Sequence, residues 1–292
     1  MEQSYNSIVG RNEPQFRGCY VANLTPFDHQ GSLNTAVLQA HVDWLIAHGI
    51  AGLCPAGTTG EFLYLTEYER AEIIEATLQA TRGRARVIAG VWALDPGETV
   101  RLARHAHVAG ADAVFLPPPI YYPATDDHIF ACYAAVRSAT PLPVFAYNIP
   151  QYAANEISLS CLERLIADGV IAGIKESSGD THRLGEIIRR FGAHATVLAA
   201  SDALISESRR LGAHGFISAI GNLAPETLVA IWNGDDSRQS EITALRTRLK
   251  QIGAIPALKY LLTRKGFSFG NTRIPFAQLT PAQQEMLDGL PV

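Results

Sequence analysis

Short apolar runs alternate along the chain with longer stretches whose apolar residues recur every three to four positions, and this rhythm holds through about four-fifths of the sequence. Continuous runs rich in β-branched residues read as strands covered on both faces, and the longer stretches read as amphipathic helices. The pattern predicts strands near 18–24, 50–54, 86–91, 112–116, 143–147, 170–175, 196–199 and 214–218, with helical spacing between them, as at Leu38, Val42 and Leu45. Strands that alternate with helices build a parallel sheet. Eight such units predict a closed α/β barrel, the (β/α)8 or TIM barrel, over residues 14–234. An internal echo supports the repetition: "AHGIAGLC", "VAGADAVF", "ADGVIAGI" and "RLGAHGFI" each set a glycine just before a strand, where a helix ends in a left-handed turn. After "NLAPETLVAIWNGDDSRQ" the strand signals stop, and 235–292 reads as a small C-terminal helical region with a proline-punctuated tail. An open doubly wound sheet is the alternative that periodicity leaves open. No GxGxxG follows an early strand and no GxxxxGK[ST] occurs, which removes the usual nucleotide signatures.

Composition narrows the function. A chain of 292 residues, 47% hydrophobic, suits one barrel. Net charge is −4 with a pI of about 6.1, and no lysine or arginine run suggests nucleic acid or an anionic membrane, so a small-molecule substrate is expected. Cys19, Cys54, Cys132 and Cys161 lie far apart, without a CxxC pair or a small-domain disulfide pattern, and read as reduced core residues of a cytoplasmic protein. The N-terminus lacks a basic start followed by an apolar segment, and no run approaches the roughly 18 apolar residues that span a bilayer. A soluble chain with a loose N-terminal tail is expected. His105 and His107 are the closest histidine pair, but at i,i+2 on a helix they point to different faces, so no metal site is expected.

In a barrel the chemistry gathers where strands end, and three strand ends are unusually polar. In "VIAGIKESSGD" an apolar run leads to Lys175. If Lys175 points into the barrel, alternation sends Gly173 inward too, leaving a void beside the amine for a small ligand, while Glu176 points elsewhere. Burial can lower a lysine pKa from near 10.4 toward roughly 7–8, making an amine that condenses with a ketone to an iminium ion. The alternative is a lysine that snorkels from the strand end. In "FAYNIP", Tyr147 ends the preceding strand, one βα unit before Lys175, so the two should meet. Its phenol either passes protons or is a core tyrosine with a satisfied hydroxyl. In "CPAGTTGEFLYLT", Gly57, Thr58, Thr59 and Gly60 suit a carboxylate better than a phosphate, since no lysine is nearby. Glu61 either caps this turn or acts as a base.

Together these segments, GTTGE at 57–61, YNIP at 147–150 and GIKE at 173–176, resemble in kind and order the superfamily of dihydrodipicolinate synthase and N-acetylneuraminate lyase, over nearly the whole chain. The resemblance implies a (β/α)8 barrel with a C-terminal helical region, usually a homotetramer built as a dimer of dimers, that joins or splits carbon bonds through a pyruvate Schiff base without cofactor or metal. It implies Lys175 as the Schiff-base lysine, Tyr147 as the proton-relay phenol with Thr58 beside it, and Tyr121, or else Tyr122, as a relay tyrosine lent by a neighbouring subunit. Thr59, Gly57, Tyr152 and Ile217 would bind the substrate.

Three departures bear on the substrate. Tyr152 stands where the synthases normally carry an arginine for the second substrate's carboxylate. Phe62 replaces the serine expected after GTTGE, as in sugar-acid aldolases and dehydratases, and Ala200 replaces the glycine ahead of Ser201 and Asp202. The expected activity is a class I lyase releasing pyruvate from a sugar-acid-like 2-keto acid. A true dihydrodipicolinate synthase, a keto-acid dehydratase and a non-catalytic keto-acid binding protein are the alternatives.

Overall fold

A computed structural model describes residues 16–290; the expected barrel start at residue 14 and most of the expected loose tail lie outside them. Strands β1 (Gly18–Val21), β2 (Gly52–Leu53), β3 (Arg86–Gly90), β4 (Ala113–Leu116), β5 (Val144–Asn148), β6 (Gly173–Glu176), β7 (Thr196–Ala200) and β8 (Gly215–Ser218) pair in parallel in chain order. β8 closes onto β1, and the barrel excludes the open doubly wound sheet. Helices α1 (Thr35–Ala47), α2 (Glu67–Thr81), α3 (Pro96–Ala109) and α4 (Asp126–Ala139) follow the first four strands. A short helix α5 (Pro150–Ala153) precedes α6 (Leu159–Ala167), and α7 (Thr181–Phe191), α8 (Ile205–Leu211) and α9 (Pro225–Trp232) complete the ring. The C-terminal part adds α10 (Gln239–Ile252), α11 (Ala254–Arg264) and α12 (Pro281–Asp288). Leu258, Leu261 and Leu262 of α11 are buried in the same apolar layer as Leu38 of α1. No helix among the described residues is long and apolar enough to cross a membrane.

Local signals account for the element ends. Side chains of Asn34, Thr66, Thr125, Ser158 and Asp180 each accept an N–H of the following helix, a cap that contributes about 1 kcal/mol. Gly49, Gly110, Gly169 and Gly212, the glycines of the internal echo, have φ of +84°, +93°, +64° and +93°. A Cβ would be strained there, so the repeated glycine is a repeated helix stop.

The strand bounds differ from expectation at β6. Val170 and Ile171, expected in the strand, close α6 instead: their N–H groups bond the Leu165 carbonyl at 2.9 and 3.2 Å. At the other end the strand runs one residue past Lys175, to Glu176.

The lumen is filled by setting large residues beside glycines. Tyr20 is in register with Gly52, Phe145 with Gly173 and Leu198 with Gly215. A Cβ at Gly52 or Gly173 would run into the Tyr20 or Phe145 ring, and one at Gly215 would lie 2.8 Å from Leu198. The void expected beside Lys175 is therefore absent, because the Phe145 ring occupies the space that Gly173 leaves. This packing fills the barrel floor below Lys175.

Candidate active site

Lys175 and Tyr147 are register partners on β6 and β5. The lysine is 4% exposed, with Nζ 3.9 Å from the centre of the Tyr147 ring and 4.9 Å from that of Phe115. Phe115 and Tyr147 meet edge to face with centroids 5.7 Å apart. The amine thus ends in an aromatic corner rather than snorkelling to solvent. Cys54 lies buried in the same lumen cluster as these rings, and burial pushes its thiol up to about 12 although the Lys175 charge pulls it down, so it stays protonated. Ile217 is buried on β8 in this cluster, in register with Tyr20 and Ala200.

The loop after β2 forms the next wall. Gly57 opens a 3₁₀ turn over Thr58–Gly60, closed by N–H bonds from Gly60 to Gly57 (2.9 Å) and Glu61 to Thr58 (3.2 Å). The N–H groups of Thr58 and Thr59 precede the first bond of the turn, as at the start of any helical turn. Gly57 is required by contact: a Cβ there would stand 2.9 Å from Phe115 Cζ. Ala56, Gly57, Thr58, Phe62, Trp92, Phe115 and Tyr147 border one small recess, with Phe62 edge-on to Trp92 at 5.7 Å.

Glu61 caps the turn through its backbone N–H, as one of the two expectations has it, while its side chain turns away to the C-terminal helices. Its carboxylate is buried against Lys259 of α11, with Nζ to Oε1 at 2.5 Å, and accepts the Arg273 N–H at 2.7 Å. Burial lowers the Lys259 pKa to about 8, even though Glu61 pulls it back up.

Behind the strands, the outward neighbours of the pair are pinned together. The Asn148 amide donates to both Glu176 oxygens at 3.1 and 3.0 Å and accepts from Ile157 N–H at 3.0 Å. Glu176 also takes Ser178 N–H at 2.8 Å and Arg183 Nε at 3.1 Å. This clamp holds the ends of β5 and β6, and with them Tyr147 and Lys175, in fixed register.

Other candidates stand at the rim. Tyr152, on α5, is 68% exposed, and Tyr121 is 80% exposed with φ of +77°, an uncommon conformation for a non-glycine residue. Its ring meets Tyr122 edge-on at 5.0 Å. At the ends of β7 and β8, buried Asp202 accepts the Ser218 hydroxyl, and burial raises its carboxyl above the usual range. The conformation that favours glycine here lies at Ser201, with φ of +103°; Ala200 ends β7 as ordinary strand. The glycine missing at 200 is not needed by the backbone.

The model of the Dihydrodipicolinate synthetase family matches residues 15–290. The chain belongs to this family. An uncharacterized DapA-like lyase of Halobacterium salinarum is 34% identical over 275 residues, covering 91% of this chain and 90% of that one. The 4-hydroxy-tetrahydrodipicolinate synthase of Anaeromyxobacter sp. (strain Fw109-5) is 33% identical over 281 residues, covering 92% and 94%. Among solved structures, a prophage protein of the dihydrodipicolinic acid synthase family from E. coli K12, in complex with pyruvate, superposes with a TM-score of 0.88 at 26% identity, covering 94% of this chain and 97% of that one. The chain is thus a lyase of the dihydrodipicolinate synthase family, built on a closed eight-stranded barrel.

Within this family frame, the sequence reading missed Phe115 and Trp92 as walls, the Asn148–Glu176 clamp, and the partner of Glu61. Two signals were available. Phe115 alternates correctly with Ala113 to face the lumen, and Asn148 and Glu176 directly follow the two residues expected to meet.

Proposed function

We propose that this protein is a class I lyase that cleaves a hydroxylated 2-keto acid to pyruvate and an aldehyde through a Schiff base on Lys175, working in the cytoplasm as a homotetramer. The observation that carries the reading is the Lys175 amine, held below the barrel mouth against Tyr147. The amine attacks the keto carbon, and the carbinolamine loses water to give an iminium ion. A base takes the proton of the C4 hydroxyl, the C3–C4 bond breaks, and its electron pair runs to the iminium nitrogen, leaving an enamine and an aldehyde. Protonation at C3 and hydrolysis release pyruvate and the free amine. In this reading Tyr147, with Thr58, carries the protons, and the Thr59 hydroxyl and the turn's first N–H groups bind the substrate carboxylate. Ile217 and Gly57 flank the three-carbon unit.

The iminium nitrogen takes the electrons that a Lewis-acid metal would otherwise accept, so the chemistry asks for no metal. Among the described residues, no three His, Cys, Asp or Glu side chains are grouped to hold one. Tyr121, strained and outward-facing, is suited to complete the relay of a neighbouring copy.

A synthase reading draws support from the relatives that carry that name. Tyr152 argues against it: a guanidinium pairs a carboxylate through two charge-assisted bonds, whereas a phenol offers one neutral donor. Hydrogen bonds to charged groups contribute about 1.5–3 kcal/mol, or roughly one to two powers of ten in affinity. Side-by-side steady-state assays test this. Cleavage of hydroxylated 2-keto acids should outrun condensation of pyruvate with aspartate semialdehyde, and efficient condensation would replace the aldolase by the synthase.

A further inference from the structure

We infer that Glu61 and Lys259 are positioning residues, whose buried ion pair ties α11 to the Thr58–Gly60 turn and sets where that turn presents its hydroxyls to a substrate on Lys175. The inference rests on the Schiff-base reading above and assigns the C-terminal helices a part in it.

The turn is held from both sides. On the barrel side Thr25 Oγ1 donates to the Gly60 carbonyl at 2.8 Å, and a Cβ on Gly60 would stand 3.1 Å from the Asn23 carbonyl oxygen. On the outer side Glu61 takes over. It sits at φ of +64°, a left-handed conformation that strains a non-glycine residue. Its N–H closes the turn onto Thr58 at 3.2 Å, so a shift of Glu61 is a shift of Thr58. The strained backbone is fixed by its own side chain, which ends 2.5 Å from Lys259 Nζ and 2.7 Å from the Arg273 N–H. Lys259 is fixed in turn: Nζ donates to the Asn271 carbonyl at 3.2 Å and lies 4.2 Å from the centre of the Phe27 ring.

A pair this deeply buried is a poor source of stability, because desolvation consumes most of its Coulombic gain and apolar side chains of similar volume do as well. What it supplies is a defined distance. Lys259 is 1% exposed and borders, with Asn34, Asn271 and Thr272, a cavity of about 810 Å³. Within this packing its Nζ is engaged by Glu61, Asn271 and the Phe27 ring. Residues remote in sequence thereby fix the loop that faces the substrate carboxylate, and sub-ångström placement of such groups governs binding and rate.

The test compares wild type with Glu61→Gln/Lys259→Met, which removes both charges and leaves no buried ion unpaired. Steady-state kinetics and the pyruvate concentration that half-saturates borohydride trapping are read on each enzyme, with thermal unfolding alongside. The double variant should melt cooperatively, with KM and half-saturation both raised about tenfold or more and kcat changed less. Tyr260→Phe, on the same helix as Lys259, breaks only the Tyr260 hydroxyl bond to Asp288 of α12 and should leave both values unchanged. Should the double variant not fold, Glu61→Asp retracts the carboxylate by one methylene while keeping its charge, and should raise KM at least threefold. Wild-type KM and half-saturation in a folded double variant, or in Glu61→Asp, overturn the inference alone. A wild-type enzyme whose Lys175 traps no keto acid removes the Schiff-base reading and this inference with it.

Discussion

The amine of Lys175 rests over the face of the Tyr147 ring, 3.9 Å from its centre, with the two residues in direct register across β5 and β6. One residue therefore offers the lysine an aromatic face and carries a hydroxyl as well. The aromatic face and the hydroxyl are separable by mutation.

Tyr147→Phe keeps the ring and removes the proton carrier. Loss of one positioned general acid or base costs about 10²- to 10⁴-fold in rate. Borohydride trapping should therefore still label Tyr147→Phe, while turnover falls within that range. Turnover at the wild-type rate would leave the phenol as packing alone.

Gly173 is occupied in effect by its neighbour. Gly173→Ala forces the added methyl against the Phe145 ring and to 2.7 Å from the Thr196 carbonyl oxygen. Overpacking of this kind costs about 1–3 kcal/mol, and the displaced floor lies two residues from Lys175. Chemical denaturation should show that loss, and Gly173→Ala/Phe145→Leu should recover part of it by reopening the space. An unchanged midpoint in Gly173→Ala would contradict the packing described.

Burial also sets a pH limit through His41. Its imidazole donates from Nε2 to the Asn222 carbonyl at 2.8 Å, and desolvation pushes its pKa down to about 4 from 6.5, against a smaller upward pull from that bond. Above pH 6.5 the ring is neutral whether the chain is folded or not, and its contribution is complete. As pH falls from 6.5 to 4 the unfolded chain binds a proton that the folded one refuses, and about 2–3 kcal/mol is lost. Urea midpoints measured from pH 7 to pH 4 should fall further for wild type than for His41→Gln. Parallel falls would show that His41 titrates normally.

The barrel was legible because its signals are local. Each strand lies in its own short apolar run, and Gly49, Gly110, Gly169 and Gly212 could be read as left-handed turns without knowing what they face. The meeting of Tyr147 and Lys175 followed from the barrel, since neighbouring strands end side by side. What escaped depends on which side chain reaches across. Phe145 fills the gap at Gly173 because the register sets them level, and no pattern within either strand states that. The cap at Glu61 was legible, but the partners of its side chain, Lys259 and Arg273, were not, because they come from the far end of the chain. The Asn148–Glu176 clamp lies between these cases, for both residues directly follow the pair that was found.

In the proposed reaction Lys175 carries the substrate, and the chain holds a rival amine. Lys259 is also buried, and its pKa is lowered to about 8, which on acidity alone makes it a nucleophile. Geometry decides against it, because its Nζ is engaged by Glu61 and Asn271. Incubation with pyruvate and borohydride, followed by peptide mass spectrometry, separates the two. The account predicts a reduced three-carbon adduct on Lys175 and none on Lys250, Lys259 or Lys265. A label on Lys259, or on no lysine at all, would contradict it.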